Sequence, residues 1–251
     1  MGILITGGAG FIGCNLAARL IRNGCEVIVF DNLSRPGTPR NVEWLRTQGA
    51  FTLIQDDITD AEALDRVFGN HAIDVVLHLA GQVAVTSSVT DPREDFNTNA
   101  QGTFNVLETI RTSGQDSILL YSSTNKVYGG MEEIRIVRQQ ERYVNQDYLQ
   151  GIPENAPLDF YSPYGCSKGA GDQYVRDYAR IYGMRTVVFR QSCIYGPHQM
   201  GMEDQGWLAW FTIAVLTDKP ITIYGDGRQV RDILFVEDLI DAYLAVIDRI
   251  D

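Results

Sequence analysis

The stretch Ile3-Leu4-Ile5-Thr6-Gly7-Gly8-Ala9-Gly10-Phe11-Ile12-Gly13 lies at the start of the chain. Its apolar residues predict a short buried strand, which is followed by glycines at every third position from Gly7. A helical pattern then runs to Asn23-Gly24, and a second apolar strand ends at Asp31. This order of strand, glycine turn, helix, strand and acid is typical of a dinucleotide-binding βαβ unit. The alternative is a tight turn that binds no ligand.

The glycine spacing is Gly-x-x-Gly-x-x-Gly rather than Gly-x-Gly-x-x-Gly, but the physical requirement is the same. Small residues let the backbone approach a pyrophosphate, and the helix N-terminus supplies unpaired N–H groups. Asp31 follows Gly13 by eighteen residues and can accept hydrogen bonds from the adenosine ribose. Its charge would repel a 2′-phosphate, so NAD is predicted rather than NADP. Arg35 argues the other way, because a nearby arginine can bind that phosphate.

Apolar strands and amphipathic helices alternate along most of the chain. We predict six strands, at 3–6, 26–30, 51–55, 74–79, 117–121 and 185–190. Crossover helices between them predict an α/β fold with a doubly wound parallel (Rossmann) sheet of order 3-2-1-4-5-6. We also expect a loop at 82–88, a turn at 193–197 and a seventh strand at 221–224. His78 falls inside the fourth strand, and we expect it to be a hydrogen-bonded core residue.

The chain is predicted to divide into two parts. Residues 1–190 form the NAD-binding Rossmann domain, with 130–160 as a polar insertion over the site. Residues 191–251 form a smaller, apparently truncated substrate-binding lobe, where the βα rhythm loosens.

Tyr164 and Lys168 are four residues apart in a predicted helix, so both side chains lie on one face. The ammonium group favours phenolate, so we expect it to lower the tyrosine pKa. Thr124 follows the fifth strand and Ala80-Gly81-Gln82 follows the fourth, so all these groups converge on one cleft with the glycine turn. In that cleft Tyr164 can act as a base, Lys168 can bind ribose and Thr124 can hold a substrate oxygen. The alternative is a helix-capping tyrosine and a solvated lysine.

Composition excludes several classes of partner. The chain has 251 residues and a net charge of -11, which argues against nucleic acid and anionic membranes. No apolar run reaches the ~18 residues of a membrane span. The four cysteines are scattered and there are three histidines, so we expect no metal site and a reducing, cytoplasmic setting.

The glycine turn, Asp31, Ser122-Ser123-Thr124 and Tyr164-x-x-x-Lys168 together resemble the extended short-chain dehydrogenase/reductases, over essentially the whole chain. Within that family, several stretches are similar to the CDP-paratose 2-epimerases (tyvelose epimerases): Phe30-Asp-Asn-Leu-Ser-Arg35, His78-Leu-Ala-Gly-Gln-Val83, Tyr121-Ser-Ser-Thr-Asn-Lys-Val-Tyr-Gly129, Ser162-Pro-Tyr-Gly-Cys-Ser-Lys-Gly169 and Asp204-Gln-Gly-Trp207. The resemblance implies tightly held NAD, a CDP-linked dideoxy sugar as substrate, and inversion at C2 through a transient ketone.

The resemblance and the expected topology together predict the site residues. Thr124, Tyr164 and Lys168 are the catalytic group. The cofactor contacts, which also include Tyr164 and Lys168, are expected at Gly7, Gly10, Phe11, Ile12, Gly13, Asp31, Asn32, Ser34, Arg35, Asp57, Ile58, Leu79, Ala80, Gly81, Gln82, Asn99 and Ser122. The substrate contacts are expected at Gln82, Ser87, Ser88, Asn125, Ser192, Gln199 and Arg231.

Three features distinguish this chain within the resemblance. The related 4,6-dehydratases carry Thr-Asp-Glu where this chain has Thr124-Asn125-Lys126, so elimination lacks its acid and base. The epimerases have Arg-His-Ser where this chain has Arg190-Gln191-Ser192, and glutamine cannot carry a proton as histidine does. They also continue past position 251, so we expect this chain to be a fragment.

Two alternatives to the C2 epimerase stay open at this point. One is a 4-epimerase acting on a UDP- or GDP-hexose with the same three catalytic residues. The other is a non-catalytic NAD-sensing module on the same fold. By analogy with the family, the helices at 92–113 and 164–182 pair between copies of the chain, which predicts a homo-oligomer, either a dimer or a tetramer.

Overall fold

The computed structural model describes residues 1–203 and 205–250; Asp204, in the motif quoted above, and Asp251 lie outside the described residues. The strands, in chain order, are β1 Gly2–Thr6, β2 Glu26–Phe30, β3 Thr52–Ile54, β4 Val75–His78, β5 Ile118–Thr124, β6 Ile136–Arg138, β7 Tyr143–Asn145, β8 Thr186–Gln191, β9 Cys193–Tyr195 and β10 Ile233–Phe235. Six of them form a parallel sheet of order β3-β2-β1-β4-β5-β8. The predicted α/β fold and strand order are confirmed.

The α-helices are α1 Phe11–Arg22, α2 Thr38–Arg46, α3 Ala61–Asn70, α4 Val85–Thr90, α5 Pro92–Phe96, α6 Gly102–Ser113, α7 Ser162–Tyr182, α8 Trp207–Leu216 and α9 Val236–Ile247. A π-helical turn, Asn97–Gln101, joins α5 to α6. A 3-10 turn, Asn125–Tyr128, follows β5. None of the described helices combines the length and apolarity that crossing a bilayer requires.

Helices cover both faces of the sheet, and period-two alternation along β1 divides its side chains between two cores. Ile3 and Ile5 belong to a core that includes residues of α1, α2 and α9. Leu4 belongs to a core that includes residues of α3, α6 and α7. Every residue of β1 is buried, as expected for the central strand of a doubly wound sheet.

The last helix packs on the first. Arg19 of α1 forms ion pairs with Glu237 and with Asp241, the latter at 3.0 Å. Tyr243 of α9 is fully buried in the α1-side core. Residues after 191 therefore contribute to the core beneath the large sheet, and the division of the chain at residue 190 stays a prediction.

Three local predictions were wrong. The expected loop at 82–88 contains the start of α4, which packs against α7, so tertiary contact overrides the weak helix propensity of its serines and threonines. The expected turn at 193–197 begins with β9, which pairs in parallel with β10. The expected strand at 221–224 is irregular: Ile223 and Tyr224 are exposed, and the strand instead falls at Ile233–Phe235. The polar insertion contains an antiparallel pair, β6 with β7.

Close packing at Gly13 gives a direct test of this architecture. A Cβ there would lie 2.3 Å from the carbonyl oxygen of Gly7 and 2.7 Å from the Gly8 Cα, and neither backbone can yield without moving the turn. We expect Gly13→Ala to lower the free energy of unfolding by about 1–3 kcal/mol in chemical denaturation.

The matched control is Gly69→Ala in α3, where an added Cβ meets nothing within 4 Å. We expect that variant to be more stable than the parent by about 0.5–1 kcal/mol, because alanine loses less backbone entropy in a helix. Equal stability of Gly13→Ala and the parent chain would contradict the close approach of α1 to the glycine turn.

Candidate active site

The glycine turn lies against the turn that follows β4. Gly7 has a φ of 70°, its N–H donates to the Phe30 carbonyl at 2.8 Å, and a Cβ on it would approach the Ala80 nitrogen to 2.7 Å. Gly10 caps α1 without a side chain, so no side chain occupies the first backbone N–H groups of the helix. This arrangement fits a pyrophosphate, which needs close backbone approach and unpaired N–H donors. Phe11 and Ile12 are half-buried beside it.

Asp31 lies at the carboxyl end of β2, next to this turn. Its carboxylate accepts hydrogen bonds from the Ala9 N–H at 3.0 Å and the Leu33 N–H at 2.8 Å. Burial raises the pKa of Asp31, and these N–H groups and the Arg35 charge oppose the rise. A ribose diol offers further donors that suit the ionised carboxylate, so Asp31 is well placed for the adenosine end of a dinucleotide.

The residues that follow Asp31 lie on one side of the predicted cofactor cleft. The Asn32 side-chain amide donates to the Asp57 carboxylate at 2.6 Å, and the Ser34 N–H donates back to Asn32 at 3.0 Å. The Arg35 guanidinium donates to the Gln205 side chain at 2.9 Å. The side chain of Ile58 does not face this cleft; it is buried against Gly102 of α6.

Asn99 joins the turn after β4 to helix α7. It lies in the π-helical turn and is buried; its side-chain oxygen accepts from the Gln82 N–H at 2.9 Å, and its amide donates to the Gln82 carbonyl at 3.1 Å. The same amide contacts the Ser167 hydroxyl and the Asp95 carboxylate, both at 3.1 Å. A Cβ on Gly81 would lie 3.7 Å from Lys168 Nζ. The segment Leu79–Gln82 and helix α7 therefore meet, as predicted.

Tyr164, Lys168 and Thr124 converge at the end of β5. All three are buried, with 8%, 5% and 7% of their surface exposed. The Thr124 hydroxyl faces the Tyr164 phenol and lowers its pKa, but burial is the larger effect and raises it. The Lys168 ammonium lies over the Tyr121 ring, 4.3 Å from its centroid. Three groups capable of proton transfer and oxygen binding thus share one desolvated site.

The electrostatics of this site differ from the prediction. We expected Lys168 to lower the Tyr164 pKa, but in the chain itself burial raises the Tyr164 pKa, and the Arg35 charge opposes this rise. Burial lowers the pKa of Lys168 to about 7, and Asp172 and Asp95 oppose that fall. The four-residue spacing therefore predicted where Tyr164 and Lys168 lie, but it did not predict the Tyr164 pKa. Desolvation has a larger effect on that pKa than nearby charge.

His78 is a core residue, as predicted. It is fully buried, with Nδ1 2.7 Å from the Thr6 hydroxyl and Nε2 2.9 Å from the Thr103 hydroxyl. The Thr103 hydroxyl donates to the Asn99 carbonyl, so it accepts from Nε2–H of His78. Burial and the Lys168 charge lower the His78 pKa to about 3.

The remaining predicted residues are more dispersed. Ser122 donates to Gln191 at 3.3 Å, and the Gln191 amide donates to the buried hydroxyl of Tyr243. Gln191 thus links the end of β5 to α9 rather than supplying a proton. The Ser192 hydroxyl donates to the Asp232 carbonyl at 3.2 Å. This hydrogen bond brings Ser192 close to the residue that follows Arg231.

Other predicted substrate residues are exposed or hydrogen-bonded within the protein. The exposed ones are Ser87, Asn125 and Arg231. Ser88 is buried and donates to the Val85 carbonyl at 2.7 Å. Gln199 donates to the Ile194 carbonyl at 3.1 Å, and its side-chain oxygen is buried without a hydrogen-bond partner.

Sequence reasoning missed the acids that surround Lys168. Asp95 is buried and accepts from Ser167 and Asn99; Asp172 is fully buried and paired with Arg190. Their signal was the helical spacing, because Asp95 precedes Asn99 by four residues and Asp172 follows Lys168 by four. The described residues contain no cluster of three or more His, Cys, Asp or Glu side chains that could hold a metal ion.

Comparison with known proteins agrees with this geometry. The model of the NAD dependent epimerase/dehydratase family matches residues 3–251. The CDP-paratose 2-epimerase of Salmonella typhi is 46% identical over 255 aligned positions, which cover 100% of this chain and 75% of that protein.

Two solved structures are also similar. Pal from Bacillus thuringiensis has a TM-score of 0.84 and 36% identity, covering 98% of this chain and 73% of Pal. The Thermus thermophilus UDP-glucose 4-epimerase, solved in complex with NAD, has a TM-score of 0.79 and 33% identity, covering 98% of this chain and 74% of that one. The prediction of NAD as cofactor is confirmed, and the chain belongs to the NAD dependent epimerase/dehydratase family.

Proposed function

We propose that this chain catalyses the NAD-dependent conversion of CDP-paratose to CDP-tyvelose by inverting C2 of the sugar. The observation that carries the proposal is 46% identity to the Salmonella CDP-paratose 2-epimerase along the whole chain. The convergence of Thr124, Tyr164 and Lys168 beside the glycine turn supports it, because this reaction needs an acid–base pair next to a dinucleotide.

NAD would bind at the carboxyl ends of the strands. The glycine turn and the N-terminus of α1 would hold its pyrophosphate, and Asp31 and the Asn32–Asp57 pair would hold the adenosine end. Lys168 and the turn at Ala80-Gly81-Gln82 would hold the nicotinamide ribose. When bound, NAD accepts a hydride from C2 and returns it.

The protein's own groups move the proton. Tyr164 in its phenolate form takes the proton of the C2 hydroxyl while the C2–H bond breaks, which leaves a ketone. Thr124 donates a hydrogen bond to the substrate oxygen and fixes its position. The ketone then turns its other face to the hydride, and Tyr164 returns the proton to the oxygen. Because burial raises the Tyr164 pKa, the phenolate depends on cationic Lys168 and on the positive charge of the oxidised cofactor.

The residues after Thr124 favour epimerisation over dehydration. Asn125 and Lys126 are both exposed and neither carries a carboxylate, so there is no acid–base pair here to expel water. Substrate contacts are proposed at Gln82, Asn125, Gln199 and Arg231, together with Ser87, Ser88 and Ser192. The Arg231 guanidinium suits the nucleotide diphosphate, which it can bind in bidentate fashion.

An assay with two sugars and two variants tests this proposal. We expect the full-length protein to convert CDP-paratose and to leave UDP-galactose unchanged, without added cofactor if NAD copurifies. Tyr164→Phe should lower turnover by about 10²–10⁴-fold, because it removes the general base. Tyr161→Phe is the matched control: it lies three residues earlier, its side chain is 76% exposed, and it should leave turnover unchanged.

Each alternative has its own signature in the same assay. Turnover of the UDP sugar only would replace the C2 assignment by the 4-epimerase alternative. That alternative is supported by the 33% identity to the Thermus thermophilus UDP-glucose 4-epimerase. NAD binding without turnover of either sugar would favour the NAD-sensing module. Full activity of Tyr164→Phe would contradict the proposed mechanism.

We also propose that a second copy of the chain packs against the outer face of α6 and α7. Phe104, Tyr174, Ile181 and Tyr182 are each at least 40% exposed there. The rings of Phe104 and Tyr174 lie 5.7 Å apart, and Tyr178 contacts Tyr182 at 4.9 Å. A contiguous apolar and aromatic face of this kind is typical of an interface.

We propose a cytoplasmic location as well. It is supported by the four cysteines, none of which forms a disulfide bond among the residues that the structure describes.

Light scattering after gel filtration tests the dimer. We expect the parent chain to elute as a dimer and Tyr174→Glu to elute as a monomer, because a carboxylate would be buried against the partner's apolar face. Ile136→Glu is the control, since Ile136 is 62% exposed on the distant insertion strand β6. A tetramer would indicate a further interface, and a dimer that persists in Tyr174→Glu would contradict this one.

A further inference from the structure

Helix α7 carries a third ionisable residue on the face of Tyr164 and Lys168. Asp172 continues the four-residue spacing and is fully buried. Its carboxylate accepts hydrogen bonds from Arg190 Nε at 2.8 Å, Arg190 Nη2 at 2.9 Å and the Ser123 hydroxyl at 2.8 Å. The Gln173 amide adds a further hydrogen bond at 2.7 Å. The carboxylate is therefore fully hydrogen-bonded although it is removed from water.

Arg190 extends this contact to the insertion. Its Nη1 donates to the Tyr128 hydroxyl and to the Glu154 carbonyl, both at 2.9 Å, and its guanidinium lies 5.1 Å from the centroid of the Tyr128 ring. Ser123 immediately precedes Thr124 at the end of β5. The ion pair thus joins the catalytic helix to the ends of β5 and β8 and to the segment over the site.

Lys168 lacks an acid at ion-pair distance within residues 1–203 and 205–250. The titratable and aromatic groups that interact with it are Asp95 from α5, His78 from β4, Tyr121 from β5 and Asp172 from α7. His78 is neutral, and the aromatic ring of Tyr121 carries no formal charge. Asp172 and Asp95 are therefore the negative charges that oppose the cost of burying the ammonium.

We propose that Asp172 is a positioning residue of the epimerase site, whose buried carboxylate fixes α7 against the end of β5 and supports the ammonium of Lys168. Its catalytic consequence rests on the proposed function, but its effect on Lys168 does not. Removing the carboxylate leaves the partly buried Arg190 guanidinium without its ion-pair partner and removes the larger of the two negative influences on Lys168.

The charge of Lys168 can be measured without any assay of turnover. The chain contains three lysines, Lys126, Lys168 and Lys219, so carbon-13 labelling at lysine Cε gives three signals to follow by NMR as pH is varied. We expect Lys168 to titrate near pH 7 in the parent chain and at a lower pH in Asp172→Asn. Asp177→Asn, the same substitution at an exposed position of α7, should leave it unchanged.

If Asp172→Asn does not fold, a second variant still tests the proposal. Asp172→Asn combined with Arg190→Gln removes both charges, so no guanidinium is left without its ion-pair partner. Lys168 should again titrate below the parent value, because Asp172 rather than Arg190 is among the charges that set its pKa. An unchanged Lys168 titration in the folded variant would overturn the proposal, whatever the enzyme does.

The pH profile of turnover separates this role from a structural one. Because the phenolate of Tyr164 depends on cationic Lys168, and Lys168 loses its proton at lower pH in Asp172→Asn, the alkaline-side fall in turnover should move to lower pH, with turnover best preserved on the acid side. A rate that falls equally at every pH would show a merely structural role and overturn the proposal. A shifted Lys168 titration in a chain that converts no sugar would refute the proposed function and leave the support of Lys168 by Asp172 standing.

Discussion

The parallel pairing of β1 with β2 on one side and β4 on the other is the constraint on which the site depends. Thr6 is aligned with Phe30 and with His78, so the three strands end at the same level. The glycine turn, Asp31 and the turn at Ala80 therefore meet at one edge although the sequence separates them widely. Helix α7 reaches that edge because β5 and β8 extend the same sheet. Slippage of β1 by one residue would exchange its two core faces and remove the site.

Burial away from water sets the acid–base properties of the side chains at the carboxyl ends of these strands. Burial raises the pKa of Tyr164 and lowers that of Lys168 to about 7, so both side chains favour their uncharged forms and nearby charges decide how readily each becomes charged. The neutral state of His78 keeps a second cation away from Lys168. Asp172 and Asp95 oppose the cost of burying Lys168, and Arg190 is paired with Asp172. The acid–base behaviour of the site is therefore a property of the surrounding core as much as of Thr124, Tyr164 and Lys168.

Much of this could be predicted from the sequence, for physical reasons that act locally. The glycine triplet, Asp31 and the Tyr164–Lys168 spacing are constraints within one or two adjacent elements, and the alternation of strands and helices leaves few topologies. Helix α4 and the β9–β10 pair could not be predicted in this way, because packing on α7 and pairing between distant segments decide them. The direction of the Tyr164 pKa shift was missed for a similar reason: it depends on burial, which residue spacing does not report. Asp172 and Arg190 lie eighteen residues apart, and only the fold brings them together.

The central claim is that a hydride leaves one sugar carbon and returns to that same carbon, with Tyr164 handling only the proton of the oxygen. Deuterium at C2 of CDP-paratose tests this directly, with mass spectrometry and NMR of the sugar isolated after turnover in ordinary water. The account predicts that the deuterium is kept at C2 of the inverted product, because the bound cofactor holds it between the two steps. Loss of deuterium to solvent at C2 during inversion would contradict the account, since it would mean that C2 is deprotonated rather than oxidised.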